Sequence, residues 1–454
     1  MIITITSKQT KGALKIGFSK EVSIHQIAIS GNQKGIVIGC KEKVTLFTAP
    51  LLLRSIARVA KTIKEPSFEV VLDEWYPLVS HLYTVEVFAE KLAYELTNAG
   101  YDFEKYKKDI TKQTLFVVSK DKNAVLAATR GVLIASELNQ ARELINTPGS
   151  HLTPADLAAH ASREAKGVAG VTVSLLDHLK MKKLNMNAVL AVGESSPNKP
   201  KFITMEYAGG KKGDKPFVFV GKGVTFDTGG SNLKPGDHMN GMHMDMAGGA
   251  IAIHTLLALA KLKVKKNVVC LVPAVENRVT GDSYLPGDVI IGMSGQAIEV
   301  LNTDAEGRVI LSDALTYAKK YNPSVVVDLA TLTGAAVVAL GSRVSALFSN
   351  DDELLTQLKT IGENTKNLMW PMPLYDEYKE DIKGDLGGIT NTHNKMKRDG
   401  GAITGAMFLY QFAKEYKWAH IDIAPRMESI TGDNLGSGAT AEPLYALVTL
   451  VEGK

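Results

Sequence analysis

Two short stretches of this 454-residue chain hold the residue types that could do chemistry. The first runs Val220-Gly-Lys-Gly-Val-Thr-Phe-Asp-Thr-Gly-Gly-Ser-Asn-Leu-Lys-Pro235 and continues to Met242-His-Met-Asp-Met-Ala-Gly-Gly249. An apolar strand pattern therefore enters a glycine-rich loop carrying Lys222, Asp227, Lys234 and Asp245. Glycines let the backbone turn tightly around a bound group, and strand ends followed by such loops are where open α/β sheets take ligands. The second stretch is Asn302-Thr-Asp-Ala-Glu-Gly-Arg308, between a strand pattern over Ala297 to Leu301 and a helix. In an extended segment, positions two apart point the same way, so Asp304 and Glu306 can present both carboxylates to one point. Four carboxylates gathered without cations would repel one another. Two divalent ions remove that cost and form the bridged pair used by hydrolases.

Each acid alone reads better as a solvated loop charge or a helix cap. All four, set among glycines, apolar strands and lysines, favour a metal site. Gly221-Lys222-Gly223 lacks the spacing of a phosphate loop. His238 and His243 lie close before Asp245, but no His-Glu-x-x-His is present, so they read as outer or solvent-facing residues. Met239, Met242, Met244 and Met246 read first as adaptable packing.

The elements that must position these residues follow from apolar periodicity. From Met1 to about Ser119, short strands (Gly35 to Ile38, Leu115 to Val118) mix with a helix over Thr84 to Asn98 whose apolar residues recur at three and four. This stretch carries no paired carboxylates or histidine clusters and reads as regulatory or architectural. A long helix over 124–145 leads to Asn146-Thr-Pro-Gly-Ser-His-Leu-Thr-Pro154, where proline in a first-turn position restarts a helix. Beyond it, nearly all-apolar strands (Ala188 to Val192, Phe217 to Val220, Val268 to Val272, Ser324 to Val327) alternate with helices (Gly248 to Lys261, Ile310 to Lys319, Ala402 to Lys414). Strands of that kind imply a sheet covered on both faces. The expected architecture is α/β throughout: a smaller N-terminal α/β domain (1–123), a connecting helix (124–145) and a larger C-terminal α/β catalytic domain (146–454) around a central mixed sheet.

Length alone favours two domains. Hydrophobic content of 45% with 22% charged residues predicts folding throughout, and a net charge of +4 permits nucleic acid without implying it. The lysines at 261, 263, 265 and 266 motivate a rival reading as a nucleic-acid-binding scaffold, but read more simply as a solvated helix end and turn. A two-metal phosphoesterase or nuclease is the rival among enzymes, without the arginine and histidine phosphate clamps it would need. Cys40 and Cys270 cannot build a disulfide framework. With no secretory leader pattern at the start and no apolar run of bilayer length, a cytoplasmic setting and no membrane partner are expected.

Asn302-Thr-Asp-Ala-Glu-Gly-Arg308 resembles the signature of the leucyl aminopeptidase (cytosol aminopeptidase) family. Gly221-Lys222-Gly223 with Phe226-Asp227, Gly229-Gly230, Lys234-Pro235 and Asp245-Met246 resembles its other metal-binding segment. Similarity in Asn146-Thr-Pro148, Asp328-Leu-Ala-Thr-Leu-Thr-Gly334 and Trp418-Ala-His-Ile-Asp-Ile-Ala424 extends it over the C-terminal domain, while the N-terminal region matches only in size and α/β character.

The resemblance implies release of N-terminal residues, leucine and other hydrophobic ones preferred, from peptides with a free amino end. It implies two divalent ions, manganese or zinc, with magnesium or cobalt as substitutes. Lys222, Asp227, Asp245 and Glu306 would hold the tighter ion; Asp227, Asp304 and Glu306 would hold the more exchangeable one. As a ligand Lys222 would have to be a neutral amine. Lys234 would donate to the developing oxyanion, and Arg308 would hold a bicarbonate acting as general base. Met242 would floor the pocket for the first side chain, with Thr331, Gly334 and Ala439 around it. A homohexamer built as two stacked trimers is implied too. In place of the family's Gly-x-Thr-Gly-x-Pro this chain has Gly438-Ala-Thr-Ala-Glu-Pro443, so Ala441 and Glu442 bear on side-chain preference.

Overall fold

The computed structural model describes all residues except 22–26, 30–34, 111, 387, 396, 398 and 454. The chain divides into two compact units, Met1–Asn139 with Ser429–Gly438, and Gln140–Glu428 with Ala439–Lys454.

The first unit is a six-stranded sheet in the order Ile2–Thr6, Thr114–Val118, Ser67–Val71, Leu14–Ser19, Gly35–Gly39, Ile27–Ile29, parallel except for the last pair. Helices Ala49–Thr62 and Val85–Ala99 supply apolar faces, with Leu52, Ile56, Phe88 and Leu92 joining the core beneath Phe68 and Val70. Ser429–Gly438 returns to this unit from far along the sequence. Arg54 donates to the Asp433 carbonyl at 3.2 Å, and Asn434 Nδ2 to the Leu51 carbonyl at 3.0 Å. Bonds to backbone carbonyls leave no apolar pattern, so the return is invisible to periodicity.

The second unit is built on nine strands. Eight lie in the order Met369–Pro371, Ser345–Ser349, Trp418–Asp422, Val325–Ala330, Phe217–Gly221, Asn267–Asn277, Lys201–Ala208, Val171–Leu176, and Gly223–Asp227 pairs parallel to the end of Asn267–Asn277. The central pairs are parallel and the flanking ones include antiparallel partners, so the sheet is mixed. One helical layer contains Pro154–Ala165, Ala247–Lys261 and Leu444–Glu452; another contains Asn187–Gly193, Glu306–Ala318 and Gly401–Ala413. The expected α/β layout with a covered mixed sheet is therefore present. Thr153 caps the helix that Pro154 opens, accepting from the Asp156 amide while the Asp156 carboxylate accepts from Thr153 in return.

Three local readings change. Ala188 to Val192, expected as a strand, lies in the helix Asn187–Gly193. A short apolar run does not distinguish the two. Here the Asp313 carboxylate decides, accepting from the Ala188 and Val189 amides at 2.9 and 3.0 Å and so satisfying a helix start. Asn302 to Ala305 is a turn rather than an extended segment, and Glu306 opens the following helix. Finally, the stretch Gly236–Lys261 is long and apolar enough to cross a membrane, but it is split into two short turns and the helix Ala247–Lys261, and most of it is buried. The helix Ala247–Lys261 is apolar on all sides because it lies inside the fold, against the sheet.

Candidate metal centre

The site forms at the carboxyl ends of the parallel strands, where close backbone approach positions Lys222. A Cβ at Gly221 would lie 2.4 Å from the Gly248 carbonyl oxygen, and one at Gly248 would lie 2.0 Å from that of Leu329. Only glycine fits both places. The Lys222 amide then donates to the Leu329 carbonyl at 2.9 Å, and its carbonyl accepts from the Gly249 amide at 2.7 Å. Asp227 ends its strand with Oδ1 accepting from the Gly229 amide and Asn277 Nδ2, each at 2.8 Å. Asp245 stands just before the helix Ala247–Lys261, its Oδ1 accepting from Thr331 Oγ1 at 2.6 Å.

Carboxylate oxygens of Asp227, Asp245 and Glu306 lie within 4.8 Å of one another, all three residues buried. Lys222 Nζ is 2.8 Å from both Asp245 Oδ2 and Glu306 Oε1, and Lys234 Nζ is 2.7 Å from Asp227 Oδ2 and 2.6 Å from Asp304 Oδ1. Asp304 is thus joined through Lys234 at the more open edge. Four carboxylates meet two ammonium groups. Burial, then the negative neighbours, raises Asp304 and Glu306 above the usual carboxylate range; burial raises Asp245, with Lys222 opposing. Burial works to lower Lys222 and Lys234, but the neighbouring carboxylates outweigh it and raise both. The Glu306 Oε2 atom is buried without a hydrogen-bond partner among the described residues. Oxygen-rich ligation with an acceptor left bare is the donor set that hard divalent cations complete. Arg308 is also buried, which lowers it to about 10; Nη1 donates to the Asn391 carbonyl at 2.9 Å, and Nε has no partner among the described residues. His238 and His243 are outside the carboxylate cluster.

The cytosol aminopeptidase family, catalytic domain, matches residues 139–448. The chain belongs to the cytosol aminopeptidase family. It is 44% identical over 362 residues to a probable cytosol aminopeptidase of Azoarcus sp., covering 80% of this chain and 71% of the relative. The corresponding protein of Pseudomonas fluorescens is 41% identical over 370 residues, covering 80% and 74%. Among solved structures, a cytosol aminopeptidase from Coxiella burnetii aligns with a TM-score of 0.85 at 26% identity, covering 99% of both chains. The bottromycin maturation enzyme BotP in complex with Mn aligns equally well, with a TM-score of 0.85 at 26% identity over 98% of this chain and 99% of that one. As a family member this chain is a metal-dependent aminopeptidase, a hydrolase of peptide bonds.

In this aminopeptidase a cleft of about 640 Å³ adjoins the centre, lined by Asp304, Arg308, Leu332, Gly334, Val338 and His393 among others. Of the residues expected around the first side chain, Gly334 lines this cleft and Met242 is half-buried after the left-handed Gly241. Thr331 comes to the centre but turns its hydroxyl to Asp245. Ala439 is fully buried, its amide accepted by Asn146 Oδ1 at 2.9 Å and its carbonyl receiving Arg142 Nε at 2.7 Å. Ala441 takes a left-handed φ of +55°, which explains why glycine suits that place. Glu442 forms a buried two-point ion pair with Arg426, at 3.0 and 2.9 Å, so its carboxylate is directed into the fold.

Sequence reasoning missed Asn277, Thr303 and Gly307. Thr303 Oγ1 donates to the Gly229 carbonyl at 2.7 Å, and Asn277 Nδ2 bonds both Asp227 and the Thr303 carbonyl, the latter at 3.1 Å. Together they lock the two motif loops. Gly307 carries a readable signal, being the glycine beside the motif acid: a Cβ there would lie 2.6 Å from Lys222 Cε and 2.7 Å from Nζ. Gly307→Ala should favour the helix by roughly 1 kcal/mol in isolation. It should nevertheless lower divalent-metal affinity and turnover at least tenfold by displacing Lys222 Nζ from its contacts with Asp245, Glu306 and the Thr331 carbonyl. Metal titration and steady-state assays of the variant check this.

Proposed function

We propose that this enzyme removes single residues, preferentially leucine and other hydrophobic ones, from the free amino ends of peptides with two divalent ions. The observation that carries this reading is the convergence of Asp227, Asp245 and Glu306, with a bare buried carboxylate oxygen beside Lys222. Lys222, Asp227, Asp245 and Glu306 would hold one ion; Asp227, Asp304 and Glu306 would hold the other. When bound, the ions would supply Lewis-acid polarisation and a water of lowered pKa. Manganese or zinc suits the site, magnesium or cobalt would substitute, and the likeness to BotP in complex with Mn supports manganese.

Lys234, held between Asp227 and Asp304, is the donor available to a developing oxyanion. The unpartnered Nε of Arg308 suits an anion, and we assign bicarbonate there as the proton acceptor that nearby side chains do not provide. Met242, Thr331, Gly334 and Ala439 are assigned to the first-residue pocket, Thr331 also steadying Asp245. Residues 146–454, apart from the Ser429–Gly438 segment that returns to the first unit, would form the catalytic domain, joined by 124–145 to an N-terminal domain, 1–123, in a homohexameric dimer of trimers. The two unpaired, buried cysteines suit the cytoplasm.

Leucine amide hydrolysis should disappear on chelation and return when manganese or zinc is added singly; full activity in stripped protein would refute the reading. Lys234→Ala should lower kcat about 10²- to 10³-fold, the loss expected for one oxyanion donor. A rise in KM alone would make Lys234 a binding residue instead.

A further inference from the structure

Asp422, fully buried at the end of the strand Trp418–Asp422, lies outside the residues assigned so far. Its Oδ1 accepts from the Leu332 and Ala424 amides at 3.0 and 3.2 Å, and its Oδ2 accepts from Thr333 Oγ1 at 2.6 Å. Alongside, Ala330 is paired with Asp422 in the sheet, and the Ile423 amide donates to the Ala330 carbonyl at 2.8 Å. One carboxylate thus ties the loop after Val325–Ala330 to the loop after Trp418–Asp422. Donors on three sides compensate its burial.

The tied loop meets the metal centre through the residue immediately before those contacts. The Thr331 carbonyl accepts from Lys222 Nζ at 3.0 Å, and Thr331 Oγ1 donates to Asp245 Oδ1 at 2.6 Å. Thr331 therefore bonds to the centre, while the next two residues, through the Leu332 amide and the Thr333 hydroxyl, bond to Asp422. A shift at Leu332 or Thr333 is carried into both Thr331 contacts, because Leu332 is the next residue and Thr333 only one further on. Thr333 Oγ1 also accepts from the Ala336 amide at 3.1 Å, so it caps the helix Gly334–Leu340 and fixes the far side of the loop.

We propose that Asp422, acting through Thr333 and the Leu332 amide, is a positioning residue that sets Thr331 and thereby aims Lys222 and Asp245 into the metal centre. This rests on the proposed reading of that centre. Outer partners that orient ligands are worth about 10- to 100-fold in metal affinity.

The test uses the full chain, stripped of metal, with Mn²⁺ affinity read by titration calorimetry and kcat and KM on leucine amide. Thr333→Val keeps the side-chain shape and loses the hydroxyl; Thr333→Ser keeps the hydroxyl and loses the methyl. Thr333→Val should weaken Mn²⁺ binding about tenfold and lower kcat with little change in KM, and Asp422→Asn should do the same, whereas Thr333→Ser should stay close to wild type. The proposal is overturned if Thr333→Val binds Mn²⁺ like wild type, or if Thr333→Ser is equally impaired, since the loss would then follow packing. Should Asp422→Asn fail to fold, the Thr333 pair decides alone. An Asp245→Asn control that bound Mn²⁺ normally would sink the reading of the centre; a weakened control beside an unaffected Thr333→Val would sink only this inference.

Discussion

Glu306→Gln should leave the fold intact and bring peptide hydrolysis close to the uncatalysed background. Glutamine has the shape of glutamate, so the packing of a buried residue at a helix start is kept. What changes is charge. Lys222 Nζ lies 2.8 Å from Glu306 Oε1, and Oε2 has no partner among the described residues. The amide places either a neutral oxygen or an N–H group where a cation is to be held, and an N–H cannot ligate. Metal affinity should fall by more than the roughly 100-fold that loss of an outer partner costs. Because the proposal has Glu306 serving both ions, turnover should fall with it. Titration of the stripped variant and leucine amide assays at saturating manganese check both parts. Near wild-type rates would end the two-metal reading.

Much of this arrangement was legible because chemistry and periodicity agreed. Glycines flank Lys222 because Gly221 touches the backbone of the following helix and Gly223 that of the neighbouring strand, and the touching leaves a signature in composition. Nearly all-apolar strands announced a covered sheet. What could not be read came from polar contacts between distant residues. Asp313 turns 188–192 into a helix from more than a hundred residues away, and Asn277 reaches Asp227 from the neighbouring paired strand, fifty residues on in the chain. Neither residue sits in a motif. The extended geometry expected for Asp304 and Glu306 was also wrong, although Glu306 reaches the cluster and Asp304 its edge. A turn followed by a helix start can converge two carboxylates as an extended strand would. Departures at 441 and 442 looked like pocket changes; the backbone instead keeps the left-handed bend and Arg426 takes up Glu442.

N-acetyl-leucine amide should be left intact under conditions in which leucine amide is fully cleaved. An aminopeptidase must recognise the free amine on the residue before the broken bond, and a free amine offers a basic lone pair and small size together. Around the cluster the available protein partners are carboxylates, with Asp245 buried and Asp304 at the open edge. They can accept N–H bonds from an amine. Acetylation turns the nitrogen into an amide whose lone pair is delocalised and leaves a single N–H. It also adds a carbonyl that would have to be buried against acceptors, at a cost of roughly 1–3 kcal/mol if unpaired. Binding should fail at the first step rather than turnover at the last, so the acetylated compound should be neither a substrate nor an effective competitor. A blocked peptide with an internal leucine should survive equally well. Endopeptidases, carboxypeptidases and phosphoesterases do not require that amine, so comparable rates on the free and acetylated compounds would contradict aminopeptidase action by this centre.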